Sequence, residues 1–350
     1  MAQNTGMVSE NKKMTFEEFK AEVLNDYKVA CISRETSLLG RKEVLTGKAK
    51  FGIFGDGKEV AQIALAKSFE PGDWRSGYYR DQTWMMALNE LTVEQFFAQL
   101  YANTDQELEP MSGGRQMNGH YATRLQDKNG NWLDQANRNN SSADASPTAS
   151  QMPRSLGLAL ASKLYRENKE LEDFTIFSNN GREVSFVSIG DASTSEGLFW
   201  ETLNAAGVLR VPLAISIWDD GYGISVPQKY QTTKENLSEL LKGFQADAQG
   251  RGLDIYTCEG WNYPKLVETY KRGIEKMRKT HVPAVFHITE VTQPQGHSTS
   301  GSHERYKSAE RMQWEKDFDC LKKMKEWIIE SSFATEEECN QIQEEARKFV

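Results

Sequence analysis

Apolar residues along this chain fall into two rhythms. Val184–Ile189 and Leu213–Trp218 are unbroken apolar runs of strand length, the kind that is buried on both faces of a sheet. Between them Phe199, Leu203 and Ala206 recur at helical spacing, which predicts a helix over Ser195–Arg210. Further strands are expected at Asp254–Cys258 and Ala284–Val291. A helix over Trp261–Thr280 lies between those two, with apolar positions at Leu266, Val267, Tyr270, Ile274 and Met277. Strands alternating with helices at these lengths predict an α/β chain built on a doubly wound, mostly parallel sheet.

The first half reads differently. Thr15 followed by Glu18 is a capping-box pattern, and helical spacing runs from there to Leu39, with Gly40 placed as a stop. A basic, glycine-containing stretch follows, Arg41–Gly57. A small helical section comes next, with a turn at Pro71-Gly72 and aromatic segments at Trp74–Trp84 and Phe96–Tyr101. Ala122–Ser146 is polar, rich in Asn, Asp and Ser, and without periodicity, so it is either a binding loop or a surface insertion. Thr335 and Glu338 form a second capping box that opens the last helix. That helix reaches Val350 without a stop signal, so the native polypeptide is expected to continue. Residues 1–14 are expected to be a disordered tail, and 15–350 a single α/β domain with an N-terminal helical extension and C-terminal helices.

Charge and cysteine usage narrow the classes. Lys plus Arg number 42 and Asp plus Glu 50, a net charge of −8 that argues against nucleic acid as the main partner. The four cysteines are scattered, with no paired spacing, which argues against a disulfide framework or a zinc site and for a reducing compartment. The N-terminus has no apolar core of a secretory signal. The densest apolar run, Val211–Trp218, falls far short of the roughly 20 residues of a membrane span. A soluble cytoplasmic protein is expected.

The chemistry concentrates between Val187 and Ser225. One strand ends in Gly190-Asp191, a small-residue turn opens a helix, and the next strand ends in Asp219-Asp220-Gly221. A right-handed crossover brings both strand ends to one edge of the sheet, where ligands of open α/β sheets bind. Two carboxylates there can hold a hard cation such as magnesium together with phosphate oxygens. The amides of Ala192, Ser193 and Thr194, at the start of a helix, would attract the phosphate. The pattern points to a metal–phosphate site without saying which phosphate compound.

This stretch resembles the thiamine-diphosphate motif, which begins Gly-Asp-Gly and ends Asn-Asn. GYYRDQ (Gly77–Gln82), GGRQMNGHY (Gly113–Tyr121), ASPTASQMP (Ala145–Pro153) and GHSTS (Gly296–Ser300) also stand in order. Together they resemble the alpha subunit of the decarboxylating component of 2-oxoacid dehydrogenase complexes, branched-chain type, over roughly residues 20 to 348. The resemblance implies the thiamine-diphosphate-binding fold, with thiamine diphosphate and magnesium as cofactors. Asp191 and Asp220 would bind magnesium by side chain and Tyr222 by its carbonyl. Tyr79, Arg80, Gly190, Ala192 and Ser193 would face the diphosphate, and Ser146 and Thr148 the aminopyrimidine. Ala145, Pro147, Ser150 and Gln151 match a structural potassium site. His297 matches a catalytic histidine beside the reacting ring, and GGRQMNGHY either lines the cleft or braces it. The implied reaction is oxidative decarboxylation of a small 2-oxo acid with acyl transfer to lipoyl. The implied partners are a beta-type chain, in an assembly of two alpha and two beta, and a lipoyl-bearing acyltransferase.

Four departures qualify this pattern. Ala192 replaces a glycine, a small change if that position needs no positive φ. Asp219 replaces an asparagine, giving the metal pair a second carboxylate. Trp218 stands where the resembled proteins have an arginine, and Gln293 replaces another arginine ahead of the GHSTS loop. The site gains negative and loses positive charge, which predicts weaker cofactor binding or a steeper magnesium requirement. Two rival functions remain: a transketolase-type thiamine-dependent enzyme, and a non-catalytic interaction subunit that kept the fold.

Overall fold

The computed structural model describes residues 14–299 and 303–350. The expected disordered tail therefore lies, but for Met14, outside the described residues, as does Ser300. Helix α1 spans Phe16–Leu45 and opens on the predicted capping box, Thr15 and Glu18 each bonding the other's backbone. Such a cap stabilises by about 1 kcal/mol. The helix does not stop at Gly40 but runs through it. A Cβ on Gly40 would lie 2.5 Å from a ring carbon of Phe54. The glycine is thus a packing notch for Phe54 rather than a terminator. Helix α2 (Glu59–Ala66) is buried along its whole length.

Strand β1 (Trp74–Ser76), helix α3 (Gln82–Ala87) and helix α4 (Val93–Leu100) complete the first section. The polar stretch Ala122–Ser146 is largely loop, but it contains a two-residue strand, β2 (Asn140–Ser141). Neither β1 nor β2 carries an apolar pattern, and both lie at one edge of the sheet. Helix α5 (Gln151–Glu167) leads into the alternating half.

That half follows the expected order. Strand β3 (Ser185–Gly190), helix α6 (Gly197–Leu209) and strand β4 (Leu213–Trp218) come first. A short hairpin, β5 (Tyr222–Gly223) with β6 (Val226–Pro227), and helix α7 (Leu237–Leu241) follow. Strand β7 (Asp254–Glu259), helix α8 (Tyr263–Thr280) and strand β8 (Ala284–Thr289) complete the alternation. Helices α9 (Ala309–Asp317), α10 (Cys320–Glu330) and α11 (Glu336–Phe349) close the described chain, the last on the predicted Thr335–Glu338 box.

Six strands form one sheet in the order β2-β1-β3-β4-β8-β7, every pair parallel. Alternate side chains of each central strand enter opposite cores. Leu213, Ile215 and Ile217 of β4 pack with Phe199 and Leu203 of α6 and Met152 of α5. Ala214 and Trp218 of the same strand pack on the other face, with Val60 of α2, Tyr270 of α8 and Met324 of α10. Continuous apolar strands are needed because both faces are covered, and each buried Leu or Phe contributes about 1.5–3 kcal/mol. The result is the doubly wound α/β architecture that the apolar runs predict. Among the described residues no helix is long and apolar enough to cross a membrane.

Candidate functional site

Gly190 pairs with Trp218 in the parallel ladder, so β3 and β4 end level and release their next residues side by side. Asp191 and Asp219-Asp220 follow at that carboxyl edge. The chain after β8 turns back over the same edge: Asp219 donates its N–H to Ile288 O and accepts at its carbonyl from Val291. These connections bring His297 over the ends of β3 and β4. A cleft of about 370 Å³ opens there, lined by Tyr79, Arg80, Thr148, Gly190, Asp191, Ala192, Ser193, Asp220, Tyr222 and His297 among the predicted residues. Tyr78, Trp218, Gly223, Ile224, Val226 and Gln231 complete the wall.

The two carboxyl groups that share the cleft sit in opposite electrostatic surroundings. Burial first, then the neighbouring Asp220 and Asp219, hold the Asp191 carboxyl well above the usual carboxylate range. Burial would also raise Asp220, but His297, Lys58 and Arg80 outweigh it, and Asp220 is held well below that range. Asp220 Oδ2 lies 3.0 Å from His297 Nε2 and accepts from Lys58 Nζ at 3.2 Å, while Oδ1 accepts from the Tyr222 amide at 3.2 Å. Burial in turn holds His297 below the ordinary histidine value, against the pull of Asp220. A neutral ring beside an ionised carboxylate carries its hydrogen on Nε2. His297 Nδ1 is left as a buried acceptor with no partner among the described residues.

Asp219, expected to add a second carboxylate to the metal pair, does not line the cleft. Its Oδ1 accepts from the Gly221 amide at 3.0 Å; its Oδ2 accepts from Gln228 Nε2 at 3.1 Å and lies 2.8 Å from His287 Nε2. Both oxygens are thus engaged beneath the hairpin. Thr194 also departs from expectation, since its amide is spent on Asp191 O at 3.1 Å. The Ala192 amide bonds the Asp191 carboxyl, so of these three amides Ser193's alone is uncommitted among the described residues, at the start of a short 3-10 turn. Ala192 is absent from the positive-φ residues, so alanine costs this turn nothing. Trp218 is fully buried, and its indole N–H has no partner among the described residues.

The loop holding His297 is anchored without the missing arginine. Gln293 is buried; its side chain accepts from Lys58 Nζ at 2.7 Å and its carbonyl from Lys307 Nζ at 3.1 Å. Arg80 donates to Phe54 O at 2.6 Å and to His297 O at 2.9 Å, so it fastens this loop as well as lining the cleft. Arg311 donates to Asp220 O at 2.7 Å. GGRQMNGHY braces rather than lines: a Cβ on Gly119 would lie 2.5 Å from Tyr79 O, so this glycine lets the loop press against the Tyr79 backbone.

Ser146 and Thr148 are exposed; only Thr148 borders the cleft. Ser146 Oγ lies 2.8 Å from Nε2 of the buried His120. Ala145 and the exposed Pro147 precede a turn in which Ala149 adopts φ 64. Ser150 Oγ is buried and without a partner within the protein. Gln151 donates from Nε2 to Ser188 O at 2.9 Å and accepts at its carbonyl from Ser76.

Lys58, Lys307 and Arg311 hold Asp220 and the loop before His297, and the sequence reading does not single them out. A signal for Lys58 was present: Gly55-Asp56-Gly57-Lys58 precedes α2 as a second small-residue turn at a helix start. Ile224, at the cleft rim, holds φ 57, a costly conformation for a β-branched residue and one that clusters at functional sites.

The residues fit a divalent cation bound together with a diphosphate. Asp191 and Asp220 offer the cation oxygen ligands, and buried polar atoms without a partner among the described residues remain at Trp218 and His297. Among the described residues no three His, Cys, Asp or Glu side chains group as a metal cage. A cation here would need a backbone carbonyl and ligand oxygens as well, the usual arrangement for magnesium.

Comparison with known proteins agrees. The family model described as "Dehydrogenase E1 component" matches residues 27–350. The chain is 26% identical over 322 residues to 2-oxoisovalerate dehydrogenase subunit alpha of Bacillus subtilis (strain 168), covering 90% of this chain and 84% of that one. It is 25% identical over 343 residues to pyruvate dehydrogenase E1 component subunit alpha of Acholeplasma laidlawii, covering 96% and 83%. With the mitochondrial 2-oxoisovalerate dehydrogenase subunit alpha 1 of Arabidopsis thaliana it shares 26% over 304 residues, 86% of this chain and 56% of that one.

Proposed function

Since the chain belongs to the dehydrogenase E1 component family, we propose that it is the alpha-type chain of a 2-oxoacid dehydrogenase. In this reading it works with a beta-type chain to decarboxylate a small 2-oxo acid and passes the acyl group to a lipoyl-bearing acyltransferase. The observation that supports it best is the convergence of Asp191, Asp220, Arg80 and His297 on one cleft at the carboxyl edge of β3 and β4.

Asp191 and Asp220, with the Tyr222 carbonyl, would hold magnesium. The amide of Ser193, the Arg80 guanidinium and the Trp218 indole N–H would bind the diphosphate of thiamine diphosphate. Bound there, thiamine diphosphate supplies the electron sink for loss of carbon dioxide. Cation binding favours the ionised form of Asp191, whose proton is otherwise retained by burial and by Asp220. Asp220 orients His297 through Nε2 and leaves Nδ1 able to take a proton from a reacting group and to return it to the sulfur that leaves as the lipoyl disulfide opens. Arg80 fixes the height of that loop over the cleft through His297 O. Ser146 and Thr148 would meet the aminopyrimidine, and Ser150 Oγ and Gln151 would help hold potassium.

The test is carbon dioxide release from 2-oxoisovalerate and from pyruvate, with thiamine diphosphate and magnesium, by this chain, by a beta-type chain and by their mixture. Turnover confined to the mixture is expected. Absence of release from every combination would favour the interaction-subunit reading instead.

A further inference from the structure

We infer that Lys58 is a resident cation of this site, neutralising Asp220 so that a divalent cation enters only together with an anionic diphosphate. The inference rests on the proposed metal site and goes beyond it. Lys58 is 1% exposed, and its ammonium has three protein acceptors: Asp220 Oδ2 at 3.2 Å, Thr292 O at 3.3 Å and Gln293 Oε1 at 2.7 Å. Three acceptors use all three of its N–H donors. The ammonium is therefore held by protein rather than by water, and moving it away would strand Thr292 O and Gln293 Oε1 and leave Asp220 Oδ2 with His297 alone.

Its position is built by the backbone. Gly57 has φ 91, and a Cβ there would lie 2.1 Å from Thr292 O. Only glycine lets the chain pass that close, and Lys58 is the next residue, turned inward toward the ends of β4 and β8. Of the neighbouring charges, Arg80 bonds only the carbonyls of Phe54 and His297, and three others are held by groups of their own. Asp219 is engaged by His287 and Gln228. Arg311 reaches the Asp220 carbonyl, and Lys307 pairs with Glu315 at 2.7 Å. Lys58 is the ammonium that shares the Asp220 carboxylate.

A divalent cation approaching Asp220 alone therefore meets a carboxylate whose charge is balanced, with a positive group beside it. Like charges around one carboxylate repel strongly in a buried site. A diphosphate brings negative charge that Lys58 and Arg80 both attract, and with it the cation gains oxygen ligands. Lys58 thus supplies positive charge to a site where Trp218 stands in place of an arginine. Lys58 favours the anion and resists the free metal.

Manganese, followed by the electron paramagnetic resonance of the free ion, is the probe, with the full chain. Wild type is expected to bind it weakly alone and more tightly once thiamine diphosphate is added. Lys58→Gln is expected to bind manganese alone more tightly than wild type, by roughly tenfold or more. Lys58→Arg, which keeps the charge, is expected to behave as wild type. Circular dichroism confirms that the variants fold, and the wild-type measurement stands without them. Tight binding of manganese alone by wild type, or equal affinities for wild type and Lys58→Gln, would overturn the role of Lys58 while leaving the metal site intact. No manganese binding by any form, with or without thiamine diphosphate, would overturn both the metal site and this inference.

Discussion

His287 Nε2 lies 2.8 Å from Asp219 Oδ2, and Nδ1 of the same ring lies 2.6 Å from Ser238 Oγ. The contact ties the end of β4 to β8 and to the start of α7. It explains how a second carboxylate can adjoin Asp220 without lining the same cleft. Replacing His287 by alanine removes both hydrogen bonds from a buried position and leaves Asp219 short of a partner. A loss of about 2–4 kcal/mol is expected from urea unfolding. A loss under about 1 kcal/mol would mean that the pair carries little of the local structure.

Arg75 occupies the middle of β1 with no exposure, paired with Asp81 at 2.8 Å and Asp144 at 2.9 Å. Its guanidinium also lies 5.5 Å from the ring centres of Trp84 and Tyr121. Arg75→Met would leave two buried carboxylates without their cation, and about 3–5 kcal/mol of stability should be lost. Chemical denaturation checks this. Near-wild-type stability would contradict the claim that this ion cluster holds the edge of the sheet.

Gly57→Ala would place a methyl group against Thr292 O and force a strained φ. Displacement of both segments is expected, with a stability loss of about 1–3 kcal/mol and weaker cofactor binding. An unfolding midpoint equal to wild type would remove the close approach from the account of how Lys58 is positioned.

His281 caps α8 in the left-handed region at φ 55, and its Nε2 lies 3.0 Å from Gly181 O. Burial, then the Arg166 charge, holds its pKa below the ordinary histidine value. The folded state therefore resists protonation more than the unfolded chain does. The stability it contributes is complete above the unfolded pKa, about 6.5, and is lost as pH falls from there through the folded value. His281→Asn keeps a residue suited to the left-handed cap and cannot titrate. The fall in melting temperature between pH 7 and pH 5 should be shallower in this variant, and an unchanged slope would contradict the assignment.

The central strands and α8 were legible because both faces of β3, β4 and β8 are covered by helices, which forces continuous apolar runs. The edge strands were not. In β1, Arg75 is buried by ion pairing rather than by apolarity, and β2 is only two residues long. Gly40 misled for a related reason, since in the sequence a helix stop and a packing notch look alike. In the site, strand-end carboxylates announced themselves through their turns. What each one faces did not, because Asp219 and Asp220 are adjacent and their partners, His287 and Lys58, lie far away in the chain. Lys58 itself looks like an ordinary surface lysine at a helix start until Gly57 brings it against Thr292.

The central claim is that Asp191, Asp220 and the cleft around them bind thiamine diphosphate through a divalent cation. Calorimetric titration of thiamine diphosphate into the full chain tests it most directly, with and without magnesium, alone and with a beta-type partner. Magnesium-dependent binding that tightens with the partner and disappears in Asp220→Ala is the predicted result. Binding that ignores magnesium, or no binding under any of these conditions, would contradict it.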